Sequence, residues 1–243
     1  MKNAGSTGSR TASFTLAELL VATAMISAIT ALILPALSDA NAKFRAEYCL
    51  NNLKQWGVGF QLYAADFNGY LPAEGSSAGS VVSFKECWFN GVPPYLKLVP
   101  YKDYLESPGY LRFGQARLWV CPEKNLRNAQ STSGLNSFSY GMNNYLDGDN
   151  IDDAYHHLRH VKLSSISNPD TTVLLCDIYA NAPACDPLDV TFQTYPWQKY
   201  GAGLHQNGAN FLFVDGHVSW FPVSAYWTGS TGITNNPALR WHP

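Results

Sequence analysis

The sequence predicts an α+β fold in which one long N-terminal helix packs against a small antiparallel sheet. Residues 14–37 form an apolar run broken by a single charged side chain, and aromatic residues recur at helical spacing from position 44 to position 67. Short β-branched and aromatic runs, separated by turn residues, then follow in the C-terminal half. Such runs are typical of strands.

The apolar run, residues 14–37, is long enough to cross a membrane. As a helix it would extend about 36 Å at about 1.5 Å per residue, whereas a hydrocarbon core is about 30 Å thick. Residues 1–13 are polar, with Lys2 and Arg10 and no acidic side chain. Because positive residues stay on the cytoplasmic side, we expect a single pass with the rest of the chain outside.

The length of this run and the charge of Glu18 argue against two ordinary explanations, a secretory signal peptide and a plain membrane anchor. A secretory signal peptide has an apolar region of roughly 7–15 residues, and the run here is longer. A plain anchor has no use for Glu18, since a carboxylate in hydrocarbon costs roughly 2.5–3.5 kcal/mol. Glu18 is therefore a functional candidate, or else it reaches back to the nearby cytoplasmic interface.

Residues 38–68 are predicted to continue the helix and to pack it on the head domain. Asn68-Gly69 is a turn signal and Pro72 cannot continue a helix, so the helix should end near position 68. Large side chains recur there every three to five positions: Phe44, Tyr48, Leu53, Trp56, Phe60, Tyr63 and Phe67.

The head, residues 69–243, contains five strand candidates. Asp215-Gly216 lies between the last two and predicts a hairpin with a type I′ turn, because that turn needs positive φ. A small antiparallel sheet follows from this hairpin. The candidates are residues 117–121, 137–142, 171–177, 209–216 and 217–221.

Composition and motifs narrow the functional class. The chain has 16 Lys and Arg against 18 Asp and Glu, so it lacks the basic surface that nucleic-acid binding requires. It contains no HExxH pattern and no nucleophile elbow. We therefore expect no nucleic-acid partner, assign no catalytic residue and do not expect an enzyme.

The five cysteines are too far apart for a CxxC motif. Two disulfides are candidates in an exported head, Cys176 with Cys185 and Cys49 with Cys121. Buried thiols are the equal alternative, and the sequence alone leaves the two open.

A zinc site is one hypothesis for the histidines. His156 and His160 are four positions apart, which would place both on one face of a helix. One of three further side chains would complete the site: Asp215, His205 or His217.

A calcium site is a second hypothesis, for the acidic stretch at 147–153. It offers oxygen ligands from Asp147, Asp149, Asp152 and Asp153, but it lacks the EF-hand pattern. A solvated loop explains the stretch more simply, so no cofactor is expected, with calcium as the alternative.

The stretch "SFTLAELL", residues 13–20, resembles the processing segment of type IV prepilins and type II secretion pseudopilins. In that family a short basic leader is cut before a Phe within the pattern Gly-Phe-Thr-Leu-x-Glu-Leu. The resemblance implies cleavage between Ser13 and Phe14 by a prepilin peptidase, and N-methylation of Phe14. Ser13 stands where the family usually has glycine.

The same resemblance implies roles in assembly for Glu18 and Pro35. Glu18 would be the fifth mature residue, and Pro35 would be the twenty-second, where pilin helices carry a kinking proline. In a fibre, the Glu18 carboxylate and the Phe14 amine of a neighbouring subunit would neutralise each other, so a charge penalised in lipid would be tolerated in the assembly.

The C-terminal half carries a second resemblance. His205, nine intervening residues and Asp215-Gly216 are similar to the H-X9-DG element of many large prepilin-like proteins. The stretches "CLNNLKQWG" at 49–57 and "WVCPE" at 119–123 also resemble that group. We expect His205 to be a buried histidine that bonds the hairpin backbone.

Together the resemblances imply a pilin-like structural subunit of a type II secretion or type IV pilus-like fibre. It would lie in the bacterial inner membrane as a single-pass protein, with its N-terminus in the cytoplasm and its head in the periplasm. Its implied partners are the prepilin peptidase, other pilin or pseudopilin subunits, the inner-membrane assembly platform and membrane lipid. The alternative is a membrane-anchored binding module for glycans or surfaces, which 7 Trp and 14 Tyr would suit.

Overall fold

The structure of this chain is a computed structural model. The described residues are 15–73, 87–106, 118–122, 139–147, 161–178, 184–185, 205–228, 232–233 and 236–242. The chain forms two compact units, residues 1–41 and residues 42–243, and the first helix contributes to both.

The first helix, α1 (Leu16–Asp66), confirms the long N-terminal helix that the sequence predicts, and it continues through Pro35. The helix ends where the turn signal predicts. Asn68 and Gly69 adopt positive φ of 55° and 84°, and the Gly69 amide donates to the Ala64 carbonyl at 2.7 Å. A left-handed residue after the last turn is a common way to satisfy the final carbonyls of a helix.

The other layer is a five-stranded sheet, whose strands are β1 (Tyr140–Asn143), β2 (Val173–Asp177), β3 (Ala184–Cys185), β4 (Gly208–Phe213) and β5 (Val218–Pro222). Their order across the sheet is β3-β1-β2-β4-β5. Four strands are antiparallel neighbours, as predicted, and the short β3 pairs in parallel with β1 at one edge.

Short elements complete the described fold. The last two strands pair with each other in a separate antiparallel ribbon. The elements are α2 (Trp88–Gly91), α3 (Tyr101–Glu106), α4 (Val223–Tyr226), β6 (Trp227–Thr228), β7 (Gly232–Ile233) and 3-10 turns at Pro93–Leu96, Asn144–Asp147 and Leu163–Ser165.

The core lies between the second half of α1 and the sheet. Trp56 stands at its centre, with ring centroids 5.2 Å from Trp88 and 4.8 Å from Trp119 in edge-to-face geometry. Gly57 lets the helix approach β4, because a Cβ built there would lie 2.9 Å from Leu212 Cδ1. The predicted helix-on-sheet packing is therefore correct.

Two of the aromatic residues that the sequence places on the packed face are exposed. Phe44 is 69% exposed and Phe67 is 49% exposed, so the buried stripe of α1 begins later and ends earlier than predicted. Phe67 lies just after the helix and stacks on Tyr63 with ring centroids 4.2 Å apart. Residues Cys49, Asn52, Leu53, Trp56, Gly57, Gly59, Phe60, Tyr63 and Ala64 are the buried ones.

The predicted strand at 117–121 is wrong for the residues that the structure describes there. Leu118 and Trp119 form a turn, and Val120 and Cys121 are in no strand. Leu118, Trp119 and Cys121 are buried, and the Leu118 carbonyl accepts a hydrogen bond from Trp56 Nε1 at 3.0 Å. The stretch is thus held by a helix side chain where a strand neighbour was expected.

The predicted hairpin at Asp215-Gly216 is present, but the prediction of a type I′ turn is wrong. Only Gly216 has positive φ, at 93°, and the Gly216 amide donates to the Phe213 carbonyl at 2.9 Å. The Phe213 amide donates in turn to the His217 carbonyl at 2.9 Å. This is the longer hairpin loop in which an ordinary turn is followed by a left-handed glycine.

Candidate functional site

Glu18 helps to cap the N-terminal end of α1. Thr15 precedes the helix, and its amide and hydroxyl donate to Glu18 Oε2 at 2.9 and 2.8 Å. The Glu18 amide donates back to Thr15 Oγ1 at 3.2 Å. This reciprocal pair is a capping box, which satisfies two of the amides that a helix start leaves open. Ser13 and Phe14 lie outside the described residues.

The first half of α1 presents an apolar surface. Among the described residues, one helix is long and apolar enough to cross a membrane, by length and composition only. Exposure of its large apolar side chains ranges from 48% at Ile33 to 77% at Leu32. They are Leu16, Leu19, Leu20, Val21, Met25, Ile26, Ile29, Leu32, Ile33, Leu34 and Leu37.

The hydroxyl groups of this half are satisfied within the helix. Thr23 Oγ1 donates to the Leu19 carbonyl at 3.0 Å, and Ser27 Oγ donates to the Thr23 carbonyl at 2.8 Å. Thr30 Oγ1 donates to the Ile26 carbonyl at 2.7 Å. These side chains therefore need no water, which is what a hydrocarbon environment demands of polar groups.

A disulfide joins Cys49 of α1 to Cys121, with 5.4 Å between the Cα atoms. This was one of the two pairings proposed from the sequence. Both cysteines are fully buried. The bridge ties the first buried position of α1 to the segment that carries Trp119, so it fastens the helix to the Trp-rich core.

The other pairing, Cys176 with Cys185, is wrong. Cys176 is a buried thiol in β2. Strand β1 lies between β2 and β3, with Gly141 opposite Cys176 and Asn143 opposite Cys185. Two strand spacings of about 4.8 Å separate β2 from β3, and a disulfide cannot join Cα atoms more than about 7 Å apart.

His205 lies directly against the disulfide. Its Nε2 is 3.4 Å from Cys121 Sγ and 3.3 Å from Asp177 Oδ2, and the imidazole is almost fully buried. The residue opens a tight turn in which Gln206 and Asn207 have φ of 51° and 60°. Positive φ at both central positions is the pattern of a type I′ turn.

Asp177 ends β2 and is fully buried. Its Oδ2 accepts hydrogen bonds from the Asn210 amide at 2.8 Å and from Asn210 Nδ2 at 2.9 Å. Its Oδ1 is buried with no hydrogen-bond partner among the described residues. The sequence reading missed Asp177 and Asn210, although a carboxylate at the end of the apolar run "TTVLLCD" was a signal for a buried acid.

The nine residues between His205 and Asp215 are the six residues of β4 and the turn residues on either side of it. His205 lies just before β4, and Asp215-Gly216 forms the loop that follows it. The imidazole of His205 faces Cys121 and Asp177. The backbone carbonyl of His205 accepts a hydrogen bond from Trp220 Nε1 at 2.9 Å. Asp215 Oδ1 accepts from the His217 amide at 3.0 Å and contacts His217 Nδ1 at 2.6 Å.

The two metal hypotheses fall mostly outside the described residues. His156, His160, Asp149, Asp152 and Asp153 all lie in the range 148–160, of which the structure gives no description. Of the proposed zinc ligands, His205 is buried, whereas Asp215 and His217 form an exposed pair. The backbone of Asp147 belongs to a 3-10 turn.

Cys49, Cys121 and His205 together form a group whose possible ligand atoms all lie within 4.8 Å of one another. Tyr140 lies nearby, opposite Asp177 in the sheet, and its hydroxyl accepts from Asn52 Nδ2 at 3.1 Å. Burial, and next the charge of Asp177, raise the pKa of Tyr140 well above its usual value, although the Asn52 hydrogen bond acts in the opposite direction.

No family model, curated protein or solved structure matches this chain.

The disulfide should make a large contribution to the stability of the head. It closes a loop with a sequence separation of 72 residues, and the chain-entropy account assigns about 4 kcal/mol to a loop of that size. Reduction of the full chain in detergent should lower its free energy of unfolding by about 2–4 kcal/mol, measured by tryptophan fluorescence in denaturant. The same reductant should leave a Cys49→Ala/Cys121→Ala variant unchanged, and equal midpoints with and without reductant in the wild type would contradict the prediction.

Tyr140 should make the fold sensitive to alkaline pH. Because its pKa is raised in the folded state, the unfolded chain releases this proton first, and stability falls as pH rises above about 10, by at most about 1.4 kcal/mol per pH unit. Tyr140→Phe should reduce this loss in denaturant unfolding at pH 8 to 11. It should not abolish it, because burial also raises the pKa of Tyr226. Tyr70→Phe, at an exposed tyrosine, should keep the wild-type slope, and an unchanged slope in Tyr140→Phe would refute this role.

Proposed function

We propose that this chain is a structural, pseudopilin-like subunit of a type II secretion or type IV pilus-like fibre. It is inserted in the bacterial inner membrane by the first half of α1, with a cytoplasmic N-terminus and a periplasmic head. Its partners are the prepilin peptidase, other pilin or pseudopilin subunits and the inner-membrane assembly platform. Membrane lipid surrounds the apolar segment before assembly.

One observation carries the proposal, namely the change in character along α1. From Leu16 to Leu37 its large apolar side chains are exposed and its hydroxyls are bonded internally. From Cys49 onwards one stripe of the same helix is buried in the head. A water-soluble domain has no reason to expose so many apolar side chains on one helix, whereas a subunit that moves from lipid into a helical fibre core requires such a surface.

The capping box separates two possible reasons for Glu18. As a capping residue, Glu18 needs only a side-chain oxygen that accepts a hydrogen bond, and glutamine offers one as well. As the partner of a neighbouring Phe14 amine, it needs a negative charge. The proposal requires the second reason in addition to the first.

Processing is the first test. The intact mass of the membrane-extracted protein should correspond to loss of residues 1–13 plus one methyl group when a functioning prepilin peptidase is present. Cells without the peptidase should yield the full-length, unmethylated chain. A full-length chain in both strains would overturn the processed-subunit proposal, and Ser13→Gly would then show whether the serine alone prevents cleavage.

Assembly should depend on the charge of Glu18 and not on its capping role. Glu18→Gln keeps an acceptor for Thr15, so the variant should insert in the membrane normally but be lost from the sheared fibre fraction in cells that carry the assembly platform. Thr15→Val removes the capping hydroxyl and keeps the charge, so it should assemble like the wild type. Normal assembly of Glu18→Gln would refute the charge-pairing role.

The membrane-anchored binding module is the alternative function. It depends on the abundance of Trp and Tyr in the chain, but the described structure places many of these rings in the core, including Trp56, Trp88 and Trp119. The burial of these rings favours the structural subunit over the glycan-binding module.

A further inference from the structure

We propose that the dithiol form of this protein binds one zinc-class divalent ion through Cys49, Cys121, His205 and Asp177. The ion and the disulfide then exclude each other, because both use the same two sulfur atoms. The inference is independent of the fibre proposal, since it concerns only the buried group in the head.

Two of the distances between the donor atoms already match the edges of a tetrahedral site. With Zn–N and Zn–O bonds of about 2.0–2.1 Å and Zn–S bonds of about 2.3 Å, a tetrahedron has an N···O edge of about 3.3 Å and an N···S edge of about 3.5 Å. His205 Nε2 lies 3.3 Å from Asp177 Oδ2 and 3.4 Å from Cys121 Sγ. The imidazole therefore stands where a zinc ligand would stand before any ion arrives.

The two cysteine sulfurs can supply the S···S edge of the tetrahedron. In a tetrahedral site the two sulfurs would be about 3.8 Å apart, whereas in the disulfide they are bonded. The Cα atoms are 5.4 Å apart, which leaves both sulfurs within reach of one ion between them. Side-chain rotation after reduction is the movement that this geometry requires.

Asp177 supplies the second, independent observation. It is fully buried, and its Oδ1 has no hydrogen-bond partner in the described part of the chain. Its Oδ2 is oriented by the amide and the side chain of Asn210, as outer-shell groups orient metal-binding carboxylates. A divalent ion would compensate the negative charge that burial makes unfavourable.

The chemistry of the donor set selects the kind of ion. Two thiolates, one imidazole and one carboxylate suit zinc and its analogue cobalt, whereas calcium and magnesium prefer oxygen ligands. All four side chains are buried, and four protein ligands leave no open position. Such a site is structural and not catalytic.

The balance of the exchange is simple. A phosphine gives two electrons to the disulfide and becomes the phosphine oxide by taking the oxygen of one water molecule, and the two protons of that water complete the two thiols. Ion binding then releases both thiol protons to solvent, because the thiolate is the ligand. Reoxidation by a small-molecule disulfide, which takes up two electrons and two protons from solvent and leaves as two thiols, forms the sulfur–sulfur bond between Cys49 and Cys121 again and expels the ion.

Cobalt titration of the full chain in detergent tests the proposal. The protein is reduced with a phosphine, desalted without oxygen and titrated with Co²⁺ alone. We expect one Co²⁺ per chain, with the visible bands of tetrahedral cobalt and a thiolate charge-transfer band, both abolished by one equivalent of Zn²⁺. The unreduced protein should bind none, and absence of the bands from the reduced protein would overturn the proposal.

Matched variants identify the ligands. His205→Gln and Asp177→Asn should each weaken Co²⁺ binding at least about tenfold, and Cys49→Ser should reduce the charge-transfer band to about half, the intensity of one thiolate ligand. His217→Gln, at an exposed histidine, and Cys176→Ala, at another buried thiol, should bind like the wild type. Equal affinity of His205→Gln and wild type would refute the site.

Zinc K-edge X-ray absorption of the reduced wild type identifies the ligand atoms without any substitution, so the misfolding of a variant cannot affect the result. We expect two sulfur and two nitrogen or oxygen neighbours. A shell of oxygen and nitrogen alone would show surface binding and overturn the site. Loss of the near-ultraviolet circular dichroism on reduction, without recovery on addition of Zn²⁺, would also overturn it.

Discussion

The buried carboxylate of Asp177 is the constraint on which the arrangement of the head depends. Removing a carboxylate from water costs several kcal/mol even after the protein relaxes, so its neighbours must compensate it. Asn210 donates two hydrogen bonds to Oδ2, and His205 Nε2 lies 3.3 Å away. Both residues belong to the segment that enters and forms β4. The pairing of β2 with β4 is therefore fixed by a polar contact as well as by apolar packing, and a shift of one residue would leave the carboxylate without these partners.

This constraint gives a physical reason for the spacing of the H-X9-DG element. His205 must reach Asp177 and the disulfide at one end of β4, and Asp215-Gly216 must reverse the chain at the other end. The number of residues between them is set by the six residues of β4 and the turn residues on either side. An insertion between the two parts would move the imidazole away from Cys121 or the hairpin loop away from its glycine.

The sequence was sufficient where the signal is local. The periodicity of α1, its end at Asn68-Gly69 and the hairpin at Asp215-Gly216 follow from periodicity and turn chemistry, and the structure has all three. The sequence was insufficient where tertiary packing decides. The tight turn with two positive φ values falls at Gln206-Asn207, which contains no glycine to announce it. The contact between Asp177 and His205 joins residues far apart in the chain, and no local pattern encodes such a contact.

The position of Cys49 connects the buried group to the function proposed for α1. Cys49 is the first fully buried residue of the helix, so it lies where the helix enters the core of the head. Any force that the proposed fibre applies through α1 would reach the head at this point first, and noncovalent packing would open from there towards Tyr63. A covalent bridge to Cys121 blocks that opening, and a four-ligand ion would block it by the same connection. Either link therefore keeps α1 and the rest of the head together at the position where separation would begin.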